Sequence, residues 1–177
     1  MTLKRSSTAI PSRSRIRGPD RVGLIPDSSV VIAAERRGDT VEKLIEHVIS
    51  VTSDQDAALS SVGLTELAHG IYRAQTPETR LRRQSFIDVL LRVLTVYPYT
   101  KETALLGAKI DGAQQAQGIT IPFGDLLVGV TALELGFPIL TINVRHFRLI
   151  PGLQIVQLSE TVSSPIVASN KTDRVRK

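Results

Sequence analysis

Four side chains stand where a short apolar run gives way to something else: Asp27, Glu66, Asp125 and Asn143. Asp27 ends the apolar run at 22–26, and Glu66 follows the one at 57–62. Asp125, with Gly124 ahead of it, opens a nearly all-apolar stretch to Leu135, and Asn143 closes Thr141-Ile142-Asn143. If the short runs are strands of an open parallel sheet, their carboxyl ends collect ligand-binding residues along one edge. Carboxylates gathered there repel one another, and more so where water is excluded, so either some are protonated or a cation neutralises them. Oxygen-only donors, in a chain with no Cys and three scattered His, favour a hard ion such as Mg²⁺ or Mn²⁺. Such an ion lowers the pKa of a bound water and stabilises charge on a phosphoryl oxygen; a pair about 4 Å apart holds both attacking and leaving oxygens. That is the chemistry of phosphodiester hydrolysis. Each residue also has a plain structural reading: a helix cap for Asp27, dipole partners in a first helical turn for Glu66 and Asp125, a turn for Asn143. Their common edge is what argues for a site.

The elements that must position these residues alternate along the chain. Strands are expected at 22–26, 57–62, 93–97, 137–142 and 153–158. Helices are expected at 30–37, ended by Gly38, and at 40–50, where Val41, Leu44, Ile45, Val48 and Ile49 recur at helical spacing. A third follows Thr65 as N-cap and carries Glu66 in its first turn. Pro77 opens a helix to about Leu91 with Leu81, Ile87, Leu90 and Leu91 as its apolar face, and Thr100 caps another, closed by Gly118. The helix 125–135, closed by Gly136, is apolar on nearly every side and must be buried. Strands alternating with helices specify an α/β fold whose parallel sheet is covered on both faces.

Composition removes several other classes. The 177 residues suit one domain, and 42% apolar with 22% charged residues is an ordinary globular mix. Without Cys there are no disulfides, zinc–thiolate sites or thiol nucleophiles, which suits a reducing cytoplasm. No apolar stretch nears the roughly 20 residues that cross a bilayer, and no secretory signal is present. Four Phe, three Tyr and no Trp make an aromatic stacking platform a poor main mode of nucleic-acid binding. The net charge of +5 belongs to the ends: residues 1–23 carry six basic residues against one acidic, and 159–177 carry four against two, leaving 24–158 with 12 against 14. Residues 1–21 therefore read as a disordered basic arm and 159–177 as a flexible tail around a domain at 22–158. Arg80, Arg82, Arg83 and Arg92 form a local basic cluster that can contact phosphate or simply face solvent.

Four segments resemble the PIN domain, particularly the VapC-type toxins of bacterial toxin–antitoxin pairs: 23–33 with Asp27, 60–70 with Glu66-Leu67 and Gly70, 118–128 with Asp125, and Thr141-Ile142-Asn143-Val144-Arg145-His146-Phe147 followed by Ile150-Pro151-Gly152-Leu153. The resemblance covers about 22–158 and implies a three-layer α/β/α domain with a mostly parallel central sheet. It implies a Mg²⁺- or Mn²⁺-dependent endoribonuclease acting on RNA such as tRNA or ribosomal RNA, neutralised by a small cognate antitoxin and commonly homodimeric, in the cytoplasm. The family's acids carry over onto Asp27, Glu66 and Asp125 as metal ligands, with Asn143 at the fourth catalytic position, where many members have Asp. Ser29 and Thr141 are placed to orient those ligands from behind. Three departures stand out. Pro26 replaces the usual aliphatic residue, His146 stands where several relatives have Asp, and the chain starts well before Gly23, through a mis-called start, an expression artefact or an RNA-binding arm. For His146 the expected role is packing or hydrogen bonding; His47 and His69 are expected to be structural.

The alternative within the same fold is a non-catalytic PIN-like module that grips RNA or a protein, for which Asn143 is the best argument. A phosphotransfer receiver would need paired acids by the first strand and a Lys after the last, and a Mg²⁺ phosphatase a second acid soon after Asp27; neither pattern is present.

Overall fold

The computed structural model describes residues 23–52 and 56–158, so the basic arm at 1–21 and the tail at 159–177 lie outside the described residues. In chain order the elements are β1 (Gly23–Pro26), α1 (Ser28–Arg37), α2 (Val41–Thr52), β2 (Asp56–Ser60), α3 (Ser61–Tyr72), α4 (Pro77–Val93), β3 (Thr95–Tyr97), α5 (Lys101–Gln115), α6 (Phe123–Leu135), β4 (Ile139–Thr141), α7 (Val144–Phe147) and β5 (Ile155–Gln157). The five strands are parallel in the order β3-β2-β1-β4-β5. The chain therefore builds outward from β1 through β2 to β3, then returns to lay β4 on the other side of β1. That reversal opens a crevice at the carboxyl ends of β1 and β4, the place where such sheets bind ligands.

Side chains alternate across the sheet, so each short strand serves two cores. Leu24, Leu59 and Leu140 join Val30, Val31, Leu44, Val48, Leu67 and Leu90 on the α1–α4 face. Ile25 and Ile139 join Leu126, Val128, Val130, Phe147 and Ile150 on the α5–α7 face. The result is helix, sheet, helix: three layers. Pro26 sits comfortably in β1. Ile25 and Asp27 donate their amides to Pro138 and Leu140, while the pairing with β2 runs through Gly23 and Leu24 and has ended before Pro26.

Some boundaries differ from the sequence expectation. The helix that carries Glu66 starts at Ser61, not after Thr65, because the Ser60 hydroxyl accepts from the Gly63 amide at 2.9 Å and caps it. Glu66 is thereby in the second turn, where the helix dipole offers it little. On α4 only Ile87 and Leu90 are buried; Leu81 is 67% exposed and Leu91 is on the surface, so the expected apolar face is narrower. Thr76 caps that helix ahead of Pro77 at its first position, and Thr100 caps α5 in a capping box with Thr103. The turn α7, too short for periodicity to reveal, is pinned by the fully buried Phe147, a burial that contributes about 1.5–3 kcal/mol. Gly129 lets α6 approach it: a methyl there would stand 2.3 Å from Ile150 and 3.4 Å from Phe147. The Arg cluster on α4 is divided, since Arg82 and Arg83 both turn to the buried Glu35, at 2.8 and 3.7 Å.

Candidate active site

Asp27 is the fixed point of the crevice. It is 4% exposed, caps α1 through its backbone only, and draws its amide hydrogen bond from β4 through Leu140. Burying a carboxylate demands donors, and two hydroxyls supply them: Ser29 Oγ at 2.6 Å and Thr141 Oγ1 at 3.1 Å both donate to Oδ2. Thr141 is itself fully buried and accepts from the Asn143 amide at 2.9 Å, so one hydroxyl ties the end of β4 to the end of β1.

Glu66 reaches the same edge from α3. Ser28 Oγ donates to Glu66 Oε2 at 2.6 Å and lies 3.5 Å from Asp27 Oδ1, bridging the first and second acids. Ser28 was not among the residues the sequence singled out. Its signal in the sequence is a second hydroxyl directly after the acid, next to Ser29. The other Glu66 oxygen faces the α6 backbone: a Cβ on Gly124 would stand 2.6 Å from Oε1.

Asp125 lies in the first turn of α6, two residues later than the helix start, and is partly buried. Burial pushes its pKa up and the nearby Asp27 charge pushes it further, while a hydrogen bond from His146 pulls it back down. That bond runs from His146 Nδ1 to Asp125 Oδ2 at 2.6 Å, with each side chain 21% exposed. Arg145 Nε donates to His146 Nε2 at 3.1 Å. An arginine only donates, so Nε2 accepts there and Nδ1 is the nitrogen that carries a proton to the carboxylate. Asn143 Nδ2 stands 2.8 Å from the same Nδ1. With Nδ1 donating to Asp125 both nitrogens are donors, so this is a close approach of Asn143 to the imidazole and not a second hydrogen bond. The hydrogen-bonding role expected of His146 is thus observed, and its partner is an acid of the cluster.

The three acids share a pattern. Asp27 Oδ2, Glu66 Oε2 and Asp125 Oδ2 are each held by a donor from the protein. Among the described residues, Glu66 Oε1 and Asp125 Oδ1 receive no hydrogen bond, and Asp27 Oδ1 has only the 3.5 Å contact with Ser28. One oxygen anchored and one open on each carboxylate is a donor set suited to a hard divalent cation. Among the described residues the side chains are not already closed into a three-ligand metal group.

The PIN domain profile matches residues 24–152, from the strand that leads into Asp27 to the loop beyond His146. The chain belongs to the PIN domain family. Relatives of this PIN domain include "Ribonuclease VapC1" of Rickettsia felis, 33% identical over 138 residues that make up 78% of this chain and 98% of the relative. "Ribonuclease VapC" of Rickettsia bellii is 34% identical over 135 residues, 76% of this chain and 96% of its own. Among solved structures, the fold is shared with VapBC2 of Rickettsia felis bound to a promoter DNA fragment, at a TM-score of 0.67 and 18% identity over 77% of this chain and 98% of that one. It is shared also with DNA-bound VapBC of Salmonella typhimurium, at 0.66 and 22%, over 77% and 98%.

Proposed function

We propose that this PIN domain is a VapC-type endoribonuclease toxin, hydrolysing RNA phosphodiesters such as those of tRNA or ribosomal RNA with Mg²⁺ or Mn²⁺, and held inactive by a small cognate antitoxin. The observation that carries the reading is the pair of ribonuclease relatives near one-third identity, aligned over almost their whole length, on a chain whose acids lie along one sheet edge. Asp27, Glu66 and Asp125 would hold the ion, with Asn143 at the fourth position. The bound ion supplies an acidified water and charge compensation at the phosphoryl oxygen.

The protein's own side chains do the rest. Ser29 and Thr141 fix Asp27; Ser28 fixes Glu66; His146, steadied by Arg145, fixes Asp125. These donors occupy one oxygen of each acid and leave the other without a donor of comparable length, so the anchoring of the acids exists before RNA arrives. Asn143 in place of an acid lowers the negative charge that an approaching phosphate meets. Among the solved structures that share the fold is VapBC-5 of Mycobacterium tuberculosis, a member of the VapBC family of toxin–antitoxin systems, which supports a protein antitoxin as partner; a homodimer acting in the cytoplasm completes the proposal. No helix among the described residues is long and apolar enough to cross a membrane.

The test is cleavage of total RNA by the purified chain with Mg²⁺, with EDTA, and with Asp27→Asn in place of the wild type. Fragments only in the first condition support the reading. A non-catalytic module, favoured by the absence of a closed ligand trio among the described residues, would bind RNA and cleave in none.

A further inference from the structure

Of the four phenylalanines, Phe137 and Phe147 are buried and Phe86 is half-buried, while Phe123 is 71% exposed. An isolated exposed apolar residue needs no explanation, but the position of this one does. Phe123 is the first residue of α6, two before Asp125. The next residue, Gly124, presses against the Glu66 carboxylate, where even a methyl would come within 2.6 Å of Oε1. Phe123 therefore stands at the rim of the acidic crevice, one residue before the glycine that lies against its second acid and two residues before its third. Cα–Cβ bonds of a helix tilt toward its N-terminus, so a first-turn ring projects ahead of α6 and not back along it.

The mount is rigid. Ile121 and Leu126 on either side are buried, Pro122 fixes the entry with φ −56°, and the Leu126 amide donates to the Pro122 carbonyl at 2.9 Å. A rigid ring held in water beside a phosphodiester-cleaving cluster has a use that an aliphatic side chain does not: its face stacks on a nucleobase.

We infer that Phe123 stacks on an unpaired base of the RNA next to the scissile phosphate and so sets where the strand lies across the acids. This rests on the ribonuclease reading and deepens it. One ring contributes here, not a platform of several; the remaining affinity falls to phosphate contacts. The substrate class implied is RNA with unpaired nucleotides at the cleavage point, since a base in a duplex offers no free face.

The chain has no Trp, so Phe123→Trp creates its only indole and a direct reporter. The probe is a labelled single-stranded oligoribonucleotide in EDTA, where binding is read without cleavage. We expect Phe123→Ala to weaken binding roughly five- to a hundredfold, the range for losing one stacked base, and Phe123→Tyr to restore it. The indole of Phe123→Trp should be quenched by the oligoribonucleotide and not by inorganic polyphosphate. Unchanged affinity in Phe123→Ala beside a wild type that binds and cleaves overturns the stacking role alone. So does a Phe123→Ala that retains affinity but loses a self-associated form in light scattering, which makes the ring a protein contact. A wild type that neither binds nor cleaves RNA overturns the ribonuclease reading, and this inference with it.

Discussion

Ser28 and Glu66, 38 positions apart in the chain, are joined by a 2.6 Å hydrogen bond in which the hydroxyl donates to Oε2. Ser28 follows the acid that ends β1, and Glu66 lies in the second turn of α3, so this one bond sets the spacing between the first two acids. A hydroxyl that donates to a carboxylate is worth about 1.5–3 kcal/mol when the acceptor is charged. Ser28→Ala frees the Glu66 carboxylate to swing into solvent. RNA cleavage is predicted to fall about tenfold, the equivalent of ~1.4 kcal/mol of barrier, with recovery in Ser28→Thr, as measured by initial rates on one labelled RNA.

Gly124→Ala separates fold from function. The added methyl collides with Glu66 Oε1, the far end of a flexible side chain, which can move aside. An Ala for a Gly in a helix gains up to about 1 kcal/mol. The variant is predicted to melt at or above the wild-type temperature and yet to cleave at least about tenfold more slowly. A variant that melts early would show that the crowding is borne by the backbone.

Asp125 gives the pH dependence. Burial, and then Asp27, raise its pKa in the folded state. The unfolded chain thus releases this proton more readily than the folded one, so the contribution is complete below the ordinary carboxylate range and is lost as pH rises through the raised folded value. In EDTA at neutral pH, Asp125→Asn should therefore melt higher than wild type, with the difference shrinking on acidification. The same variant should lose cleavage. Stability gained where activity is lost is the usual mark of a strained site.

His146 holds Asp125 through Nδ1 while Arg145 occupies Nε2. His146→Ala removes the only side-chain donor found on Asp125 among the described residues. Cleavage is predicted to fall about tenfold or more. His146→Asn, which keeps a donor, should recover part of it, and kcat should carry the loss more than KM.

The strands and the positions of the acids were legible because their signals are local: short apolar runs that lead to Asp27, Glu66 and Asn143, Asp125 at the head of an all-apolar stretch, and Pro77, Thr100 and Gly136 marking helix ends. The boundary at Ser60 was not, because Val62 extends an apolar run that reads as strand until a hydroxyl caps it. Nor was the exposure of Leu81, since helical spacing says which residues share a face and not how much of that face a neighbour covers. Ser28 and the partner of His146 depend on contacts between residues 38 and 21 positions apart, which no window along the sequence contains.

The account stands on Asp27, Glu66 and Asp125 acting together on one divalent ion. Calorimetric titration of Mn²⁺ into the full chain, beside Asp27→Asn, tests it most directly. Saturable binding in the wild type that is abolished or weakened at least about tenfold in Asp27→Asn, a loss of ~1.4 kcal/mol, is the predicted result. Equal heats from both proteins, or none from the wild type, would contradict it.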